Sequence, residues 1–136
     1  MTVSDRYKIL FAVFSAALEG LNNAIEKDYA EYDEQLQDLI KNGRIQKFET
    51  AAELCWKTSK IYLETQLGII SNSPKQVYKQ LSNASIINEE LLSSLLLIVD
   101  DRNLLSHIYQ ESFFNEVLKR LAIHVKTMVK LKSCIV

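Results

Sequence analysis

The sequence has few residues that interrupt helices: only three glycines and one proline among 136 residues. A fold of short β-strands needs a turn roughly every ten residues, and glycine and proline supply most such turns, so this composition disfavours an all-β fold. Hydrophobic residues make up 48% of the chain, which is enough to fill one core. These features predict a single domain over residues 1–136, built from long helices with short connections.

Cysteine is also scarce, and the two cysteines, Cys55 and Cys134, have no paired spacing. The sequence therefore predicts neither a disulfide framework nor a zinc site. Their apolar surroundings favour reduced, packed thiols and hence a cytoplasmic protein. No secretory cleavage pattern follows the apolar residues 9–14, and no unbroken apolar run reaches the roughly 18 residues of a membrane span, so no membrane association is predicted.

An excess of charge of one sign is nearly absent, since 16 basic and 17 acidic side chains give a formal net charge of −1. No global positive field therefore attracts nucleic acid. The distribution is uneven, because the chain after Glu116 contains basic residues and no acidic one. Two interpretations stay open: a cationic helix end that complements the helix dipole, or a local surface for RNA phosphates.

Apolar residues recur every three or four positions in five segments, which indicates amphipathic helices. The predicted helices start near Ser4, cover 34–66, run from Ser73 and Pro74 to about Asn83, start near Asn88, and cover 111–132. Each has one apolar stripe, so the helices must pack against one another, and short links favour antiparallel neighbours. The predicted fold class is all-α, an antiparallel bundle of four to five helices.

The fourth predicted helix contains the most unusual feature of the sequence, because its apolar stripe leads to Arg102. A buried guanidinium needs polar partners. The polar residues around it are Asp100, Asp101, Asn103, His107 and Tyr109. Arginine can bind a phosphate in fork geometry, and histidine can transfer a proton near neutral pH. The segment is therefore a candidate site for acid–base chemistry on phosphodiesters.

The spacing between Arg102 and His107 limits this hypothesis. Positions five apart lie about 140° apart around a straight helix, so the two side chains cannot share one face. Either the helix ends near Leu105 and a turn brings His107 back, or a second copy in a symmetric dimer supplies the partner. On composition alone a structural role is the commoner one for both residues, and His124 and Trp56 are also interpreted as structural.

Three segments resemble, in the same order, signatures of the nucleotidyltransferase substrate-binding proteins, a HepT-like family of the HEPN superfamily. The first is the run from Arg44 to Lys57, where Ile-Gln-Lys-Phe-Glu precedes Glu-Leu-Cys-Trp-Lys. The second is Ser73-Pro74-Lys75. The third contains an R-x4-H-x-Y motif, formed by Arg102, His107 and Tyr109. One departure is Ala52, where the family has an aromatic residue, and this predicts looser local packing.

The resemblance implies a HEPN-like homodimer whose partner is a small, separate nucleotidyltransferase of the minimal MNT type. In the HepT branch the two form a toxin–antitoxin pair, in which HepT is a metal-independent RNase and the nucleotidyltransferase silences it by attaching AMP to the motif tyrosine. Carried over to this chain, Arg102 would stabilise the scissile phosphate and His107 would be the acid–base group. Tyr109 would accept AMP, and Asp101 and Asn103 would support the motif. RNA is the implied substrate, with no metal and no cofactor.

Two other functions stay open. The protein could be a non-catalytic subunit that presents a substrate to the nucleotidyltransferase, with Arg102 and His107 at the dimer cleft. It could also be an interaction module whose motif only stabilises the dimer. A fold alone does not distinguish these functions, and the intact Arg102, His107 and Tyr109 favour the RNase.

Overall fold

The protein is a bundle of five α-helices in the computed structural model, which describes residues 1–107 and 111–136. The helices are α1 (Val3–Glu26), α2 (Glu34–Leu67), α3 (Pro74–Asn83), α4 (Glu89–His107) and α5 (Glu111–Cys134). No β-strand occurs in these residues. The all-α prediction is confirmed, and the helix ends that were predicted agree with the structure to within about two residues; no end had been predicted for α1.

Local capping explains why the helix ends were predictable. The Asp33 carboxylate accepts a hydrogen bond from the Leu36 N–H at 2.8 Å and starts α2. The Asn88 side chain accepts from the Leu91 N–H at 2.8 Å and starts α4, as predicted. Gly68 ends α2 with φ 66°, in the left-handed region that glycine adopts without steric cost.

Contacts between helices show that neighbours along the chain run antiparallel. The Arg44 Nε donates to the Ala24 carbonyl at 3.0 Å, near the end of α1. The Thr58 hydroxyl donates to the Leu10 carbonyl at 3.5 Å, so later residues of α2 meet earlier residues of α1. Helices α4 and α5 are also antiparallel, because Asp101 contacts Arg120 whereas Asn88 lies beside Ser133. Helix α5 packs against α1 and α2 as well.

The core lies along the bundle axis and takes large side chains from all five helices. The biggest of the fully buried apolar residues are Phe14, Leu21, Phe48, Leu63, Tyr78, Leu81, Leu95, Ile98, Met128 and Leu131. Burying side chains of this size is the main favourable contribution to folding. Trp56, predicted as core, is partly buried and packs against this cluster from its edge.

Helix α1 is the most apolar long helix among the described residues. By length and composition alone it is apolar enough to cross a membrane, although charged residues interrupt its apolar run. In the bundle this helix packs against α2 and α5, and it buries Phe14, Leu18 and Leu21. An apolar helix that belongs to the core of a helical bundle meets the same criterion of length and composition.

Candidate functional site: three signatures meet at helix α4

Three consecutive residues near the end of α4 each form an ion pair with a different helix. Successive positions on a helix are about 100° apart, so Asp100, Asp101 and Arg102 face three directions. The pairs are Asp100 with Lys75 of α3 (2.7 Å), Asp101 with Arg120 of α5 (2.8 Å), and Arg102 with Glu53 of α2 (3.0 Å). The end of α4 is thereby connected to each of the helices around it.

These contacts also bring together the three signatures that the sequence analysis identified separately. Glu53 belongs to the first signature and contacts Arg102 in the third, and Lys75 belongs to the second signature and contacts Asp100, two residues before Arg102. The segments are far apart in sequence but adjacent in the fold. A shared location for all three indicates that they describe one site around Arg102.

Arg102 is held by a carboxylate that already has two other donors. The Trp56 Nε1 donates to the Glu53 carboxylate at 3.1 Å, and the Lys57 ammonium lies 3.2 Å from it. Burial raises the pKa of Glu53, but the hydrogen bonds from Trp56 and Lys57 and the charge of Arg102 outweigh this effect, so the pKa lies below its usual value. Glu53 is therefore ionised at neutral pH and fixes the guanidinium.

The partners expected for Arg102 from sequence proximity are not the ones observed. Asp101 faces α5, and the contact of Arg102 is Glu53 of α2, which the sequence analysis did not connect with Arg102. Arg102 itself is not deeply buried, since 35% of its side chain is exposed. The signal for Glu53 was its spacing, three residues before Trp56 and four before Lys57.

The predicted effect of Ala52 has a counterpart beside Arg102. Ala52 is buried and borders a small cavity of about 20 Å³. The other residues around the cavity are Trp56, Pro74, Tyr78, Ile98, Val99, Arg102 and Asn103. An alanine leaves this gap because it carries only a methyl group. Asn103, predicted to support the motif, thus lies next to Arg102 at the cavity wall.

The Asp101 carboxylate is one of the two most deeply buried polar groups of the site, only 1% exposed. Its two oxygens accept hydrogen bonds from Nε and Nη2 of Arg120, both at 2.8 Å. The His124 Nε2 lies 2.6 Å from the same carboxylate, and the imidazole stacks on the Phe48 ring with centroids 5.3 Å apart. We refer to Asp101, Arg120 and His124 as the Asp101 network.

The charge states of the Asp101 network follow from burial and hydrogen bonding. Burial raises the pKa of Asp101, but hydrogen bonds from Arg120 and His124 outweigh it, so the pKa lies below its usual value. Burial lowers the pKa of His124, and the Asp101 carboxylate only partly offsets this, so the imidazole is neutral at pH 7. A neutral His124 donates its Nε2–H to Asp101, while Nδ1 has no hydrogen-bond partner among the described residues.

The structure describes only part of the remaining motif, which consists of His107 and Tyr109. Helix α4 continues to His107, beyond the end near Leu105 that would have let a turn bring His107 back toward Arg102. Positions 102 and 107 therefore lie about 140° apart around the helix axis. The His107 side chain and Tyr109 lie outside what the structure describes.

Sequence reasoning missed Glu53, Lys75 and Arg120 as members of this site and treated His124 as structural. For α5 a signal existed, because Glu116, Arg120 and His124 are spaced four apart and so form a polar row along one line of the helix. For Lys75 the signal was its membership in the second signature, which did not indicate its partner.

Comparison with protein families agrees with the site geometry. The sequence profile of the family described as "Nucleotidyltransferase substrate binding protein like" matches residues 10–135. That range includes all three signatures and the whole Asp101 network. No curated protein sequence matches the chain significantly.

Three solved structures share the fold. One, from Thermus thermophilus, is 24% identical with a TM-score of 0.78 and covers 90% of this chain and 98% of that one. A tri-AMPylated Shewanella oneidensis HEPN toxin in complex with MNT antitoxin is 19% identical with a TM-score of 0.76, covering 99% and 98%. A toxin–antitoxin with AMP-PNP is 16% identical with a TM-score of 0.71 over the full length of both chains. The chain therefore belongs to the nucleotidyltransferase substrate-binding-like family and has the fold of the HEPN helical bundles.

Proposed function

We propose that the protein is a metal-independent endoribonuclease, the toxin of a HEPN/MNT toxin–antitoxin pair, and that a minimal nucleotidyltransferase controls it. The observation that carries the proposal is the convergence of the three family signatures around Arg102. We further expect one cytoplasmic domain over residues 1–136, with no membrane association and no cofactor.

The environment of Arg102 suits a phosphate. The guanidinium is partly exposed, and the contact with Glu53 uses Nη2, so other N–H groups remain for a ligand. Glu53 is also paired with Lys57, so the group of three side chains carries one net positive charge. A local excess of positive charge with fork geometry is what a phosphodiester requires, even in a chain of net charge −1.

The proposed reaction uses the RNA 2′-hydroxyl as the nucleophile. His107 accepts its proton while the 2′-oxygen bonds to phosphorus, and Arg102 offsets the negative charge that grows on the phosphorane. The bond from phosphorus to the 5′-oxygen then breaks, and that oxygen takes a proton. The products are a 2′,3′-cyclic phosphate and a 5′-hydroxyl end.

A homodimer would complete the site. Positions 102 and 107 lie on different faces of α4, which continues past Leu105, so His107 of one protomer would act beside Arg102 of the other. A two-fold axis through this segment would create two such sites. Light scattering should find a dimer at micromolar concentration, and a persistent monomer would count against this arrangement.

Control by a nucleotidyltransferase would act on the motif tyrosine. One protein of the same fold is a tri-AMPylated HEPN toxin in complex with MNT antitoxin, and another is a toxin–antitoxin with AMP-PNP. Tyr109 is the corresponding AMP acceptor in our proposal. Its hydroxyl follows His107 by two residues, so an attached AMP would add bulk and negative charge where RNA must bind.

Cleavage of RNA in the presence of a chelator tests the proposal. Arg102→Ala and His107→Ala should each lower the rate by about 100-fold or more, since each removes a group that acts in the transition state. Tyr109→Phe should keep cleavage but prevent AMP attachment. Arg6→Ala is the matched control, because it removes an exposed arginine from α1, away from α4. Equal cleavage by wild type and His107→Ala would identify the activity as contamination.

One observation favours a second function, a non-catalytic subunit that presents a substrate to the nucleotidyltransferase. The Glu53 carboxylate already offsets the positive charge of Arg102, as expected for a structural ion pair. In that case the three variants would not differ in RNA cleavage. They would instead weaken association with the nucleotidyltransferase or its transfer reaction.

A further inference from the structure

The Asp101 network lies immediately behind the proposed reactive segment. Asp101 precedes Arg102 in the chain and precedes His107 by six residues, less than two helical turns. Arg120 and His124 belong to α5, the next helix after the motif. The network therefore joins the two helices between which residues 108–110 lie in the sequence.

Stability alone does not explain why a carboxylate occupies this buried position. Near the network, α4 and α5 bury the apolar residues Leu95, Ile98, Val117 and Leu121. Replacing a buried ion pair by well-packed apolar residues is often neutral or stabilising, because desolvation offsets the attraction between the charges. The ion pair instead fixes the orientation of α4, because the three hydrogen bonds to the Asp101 carboxylate form together only at one rotation and height of that helix.

We propose that the Asp101 network is a positioning device that fixes the rotation and height of the last turns of α4 against α5, and thereby places Arg102 and the motif residues after it. This inference rests on the proposed RNase function for its effect on catalysis. No member touches the substrate. Asp101, Arg120 and His124 act through the backbone of α4, and the Phe48 ring on α2 closes the other side of the imidazole.

The chain offers a matched control for this inference. Asp100 and Asp101 are adjacent, and both form an ion pair at under 3 Å. The Asp100–Lys75 pair is half exposed, however, with 54% and 47% of the two side chains accessible. Exposed pairs of this kind hold a helix only weakly, whereas a buried carboxylate needs its partners. Asp100→Asn and Asp101→Asn therefore make the same chemical change in two environments.

The experiment measures RNA cleavage and local hydrogen exchange in these two variants. Asp101→Asn should lower kcat by about tenfold or more, because a displaced catalytic group is costly, while KM stays within about twofold. Amide exchange over residues 102–107 should rise, and exchange in α1 should not. Asp100→Asn should stay within about twofold of wild type in each quantity.

A triple variant separates positioning from stability. In Asp101→Leu/Arg120→Met/His124→Phe all polar members are replaced by apolar residues of similar size. The protein should keep its melting temperature, because apolar packing replaces the network. Its cleavage should nevertheless be slower than that of wild type, because nothing fixes the rotation and height of α4. Cleavage at the wild-type rate in this folded variant would overturn the inference and leave the network with a structural role.

The two proposals fail in different ways. If wild type cleaves and Asp101→Asn cleaves equally well, the RNase function stands and the positioning role is refuted. If wild type does not cleave, the function fails, and exchange over residues 102–107 decides the positioning role alone. A rise confined to that segment in Asp101→Asn supports it, and unchanged or uniformly raised exchange contradicts it.

Discussion

Acidification should destabilise the protein through His124, and the sign follows from its neutral, buried state. Its pKa in the folded protein lies below the ordinary value of 6.5, because burial outweighs the attraction of Asp101. The unfolded chain therefore takes up the proton first as the pH falls. The contribution of His124 to stability is complete above about pH 6.5 and decreases as the pH falls toward the folded pKa.

The size of the effect can be estimated from one proton. Full uptake of one proton by the unfolded state alone changes the free energy of unfolding by at most about 1.4 kcal/mol per pH unit. A chain of 136 residues has an unfolding entropy of about 0.3 kcal/mol per kelvin near its melting temperature. The maximum slope is then about 5 °C per pH unit. The pKa values of Asp101 and Glu53 are also lowered, so their contributions are lost at more acidic pH.

Thermal unfolding followed by circular dichroism between pH 7.5 and 4.5 measures this slope. His124→Gln is the comparison, because the glutamine amide can still donate to Asp101 but does not titrate. Wild type should lose melting temperature faster than the variant below pH 6.5. Parallel curves would refute the assignment of a buried neutral histidine. A relative gain by wild type on acidification would mean that His124 is charged in the fold.

Three further perturbations have defined outcomes. Glu53→Gln should lower kcat, because Arg102 loses its fixed orientation. The free energy of unfolding should change by only about 0.2–1 kcal/mol, because the ion pair is partly exposed. An unchanged kcat would show that Glu53 does not belong to the site. Gly68→Ala should cost about 1 kcal/mol in urea unfolding, because a side chain at φ 66° is strained although the added methyl meets no atom within 4 Å; a neutral result would contradict this. Cys55 should react with a thiol reagent far more slowly than Cys134, because the Cys55 thiol is buried and burial raises its pKa to about 12. Equal reaction rates would show that the core opens readily.

The fold was predictable because its determinants are local. Helical periodicity, the Asp33 and Asn88 caps and the stop at Gly68 each depend on residues within one or two turns. These features act before any tertiary contact is known. The predicted helix ends accordingly lie close to the observed ones.

The location of the site was also predictable from the sequence, but the ion-pair partners of its residues were not. Arg102 stood out because it interrupts an apolar stripe, and the expected partners were its sequence neighbours. Its actual partner is Glu53, and Asp101 instead meets Arg120, nineteen residues away. Which face of α4 meets which helix depends on packing of the whole bundle, and a one-residue difference decides whether an acid is buried or exposed.

The role of His124 was likewise predictable only in part. Its place beside an apolar stripe predicted a structural residue, and it is indeed buried in the core. Its contact with the Asp101 carboxylate depends on α4 lying against α5, which no local pattern encodes.

The chemical nature of the RNA ends tests the central claim most directly. Wild-type protein, free of any partner and in excess chelator, should produce 2′,3′-cyclic phosphate and 5′-hydroxyl ends, because the 2′-hydroxyl is the proposed nucleophile and Arg102 and His107 supply the catalysis. Mass spectrometry of a short RNA identifies these ends. Products with 3′-hydroxyl and 5′-phosphate ends, or cleavage that requires added metal, would contradict the account.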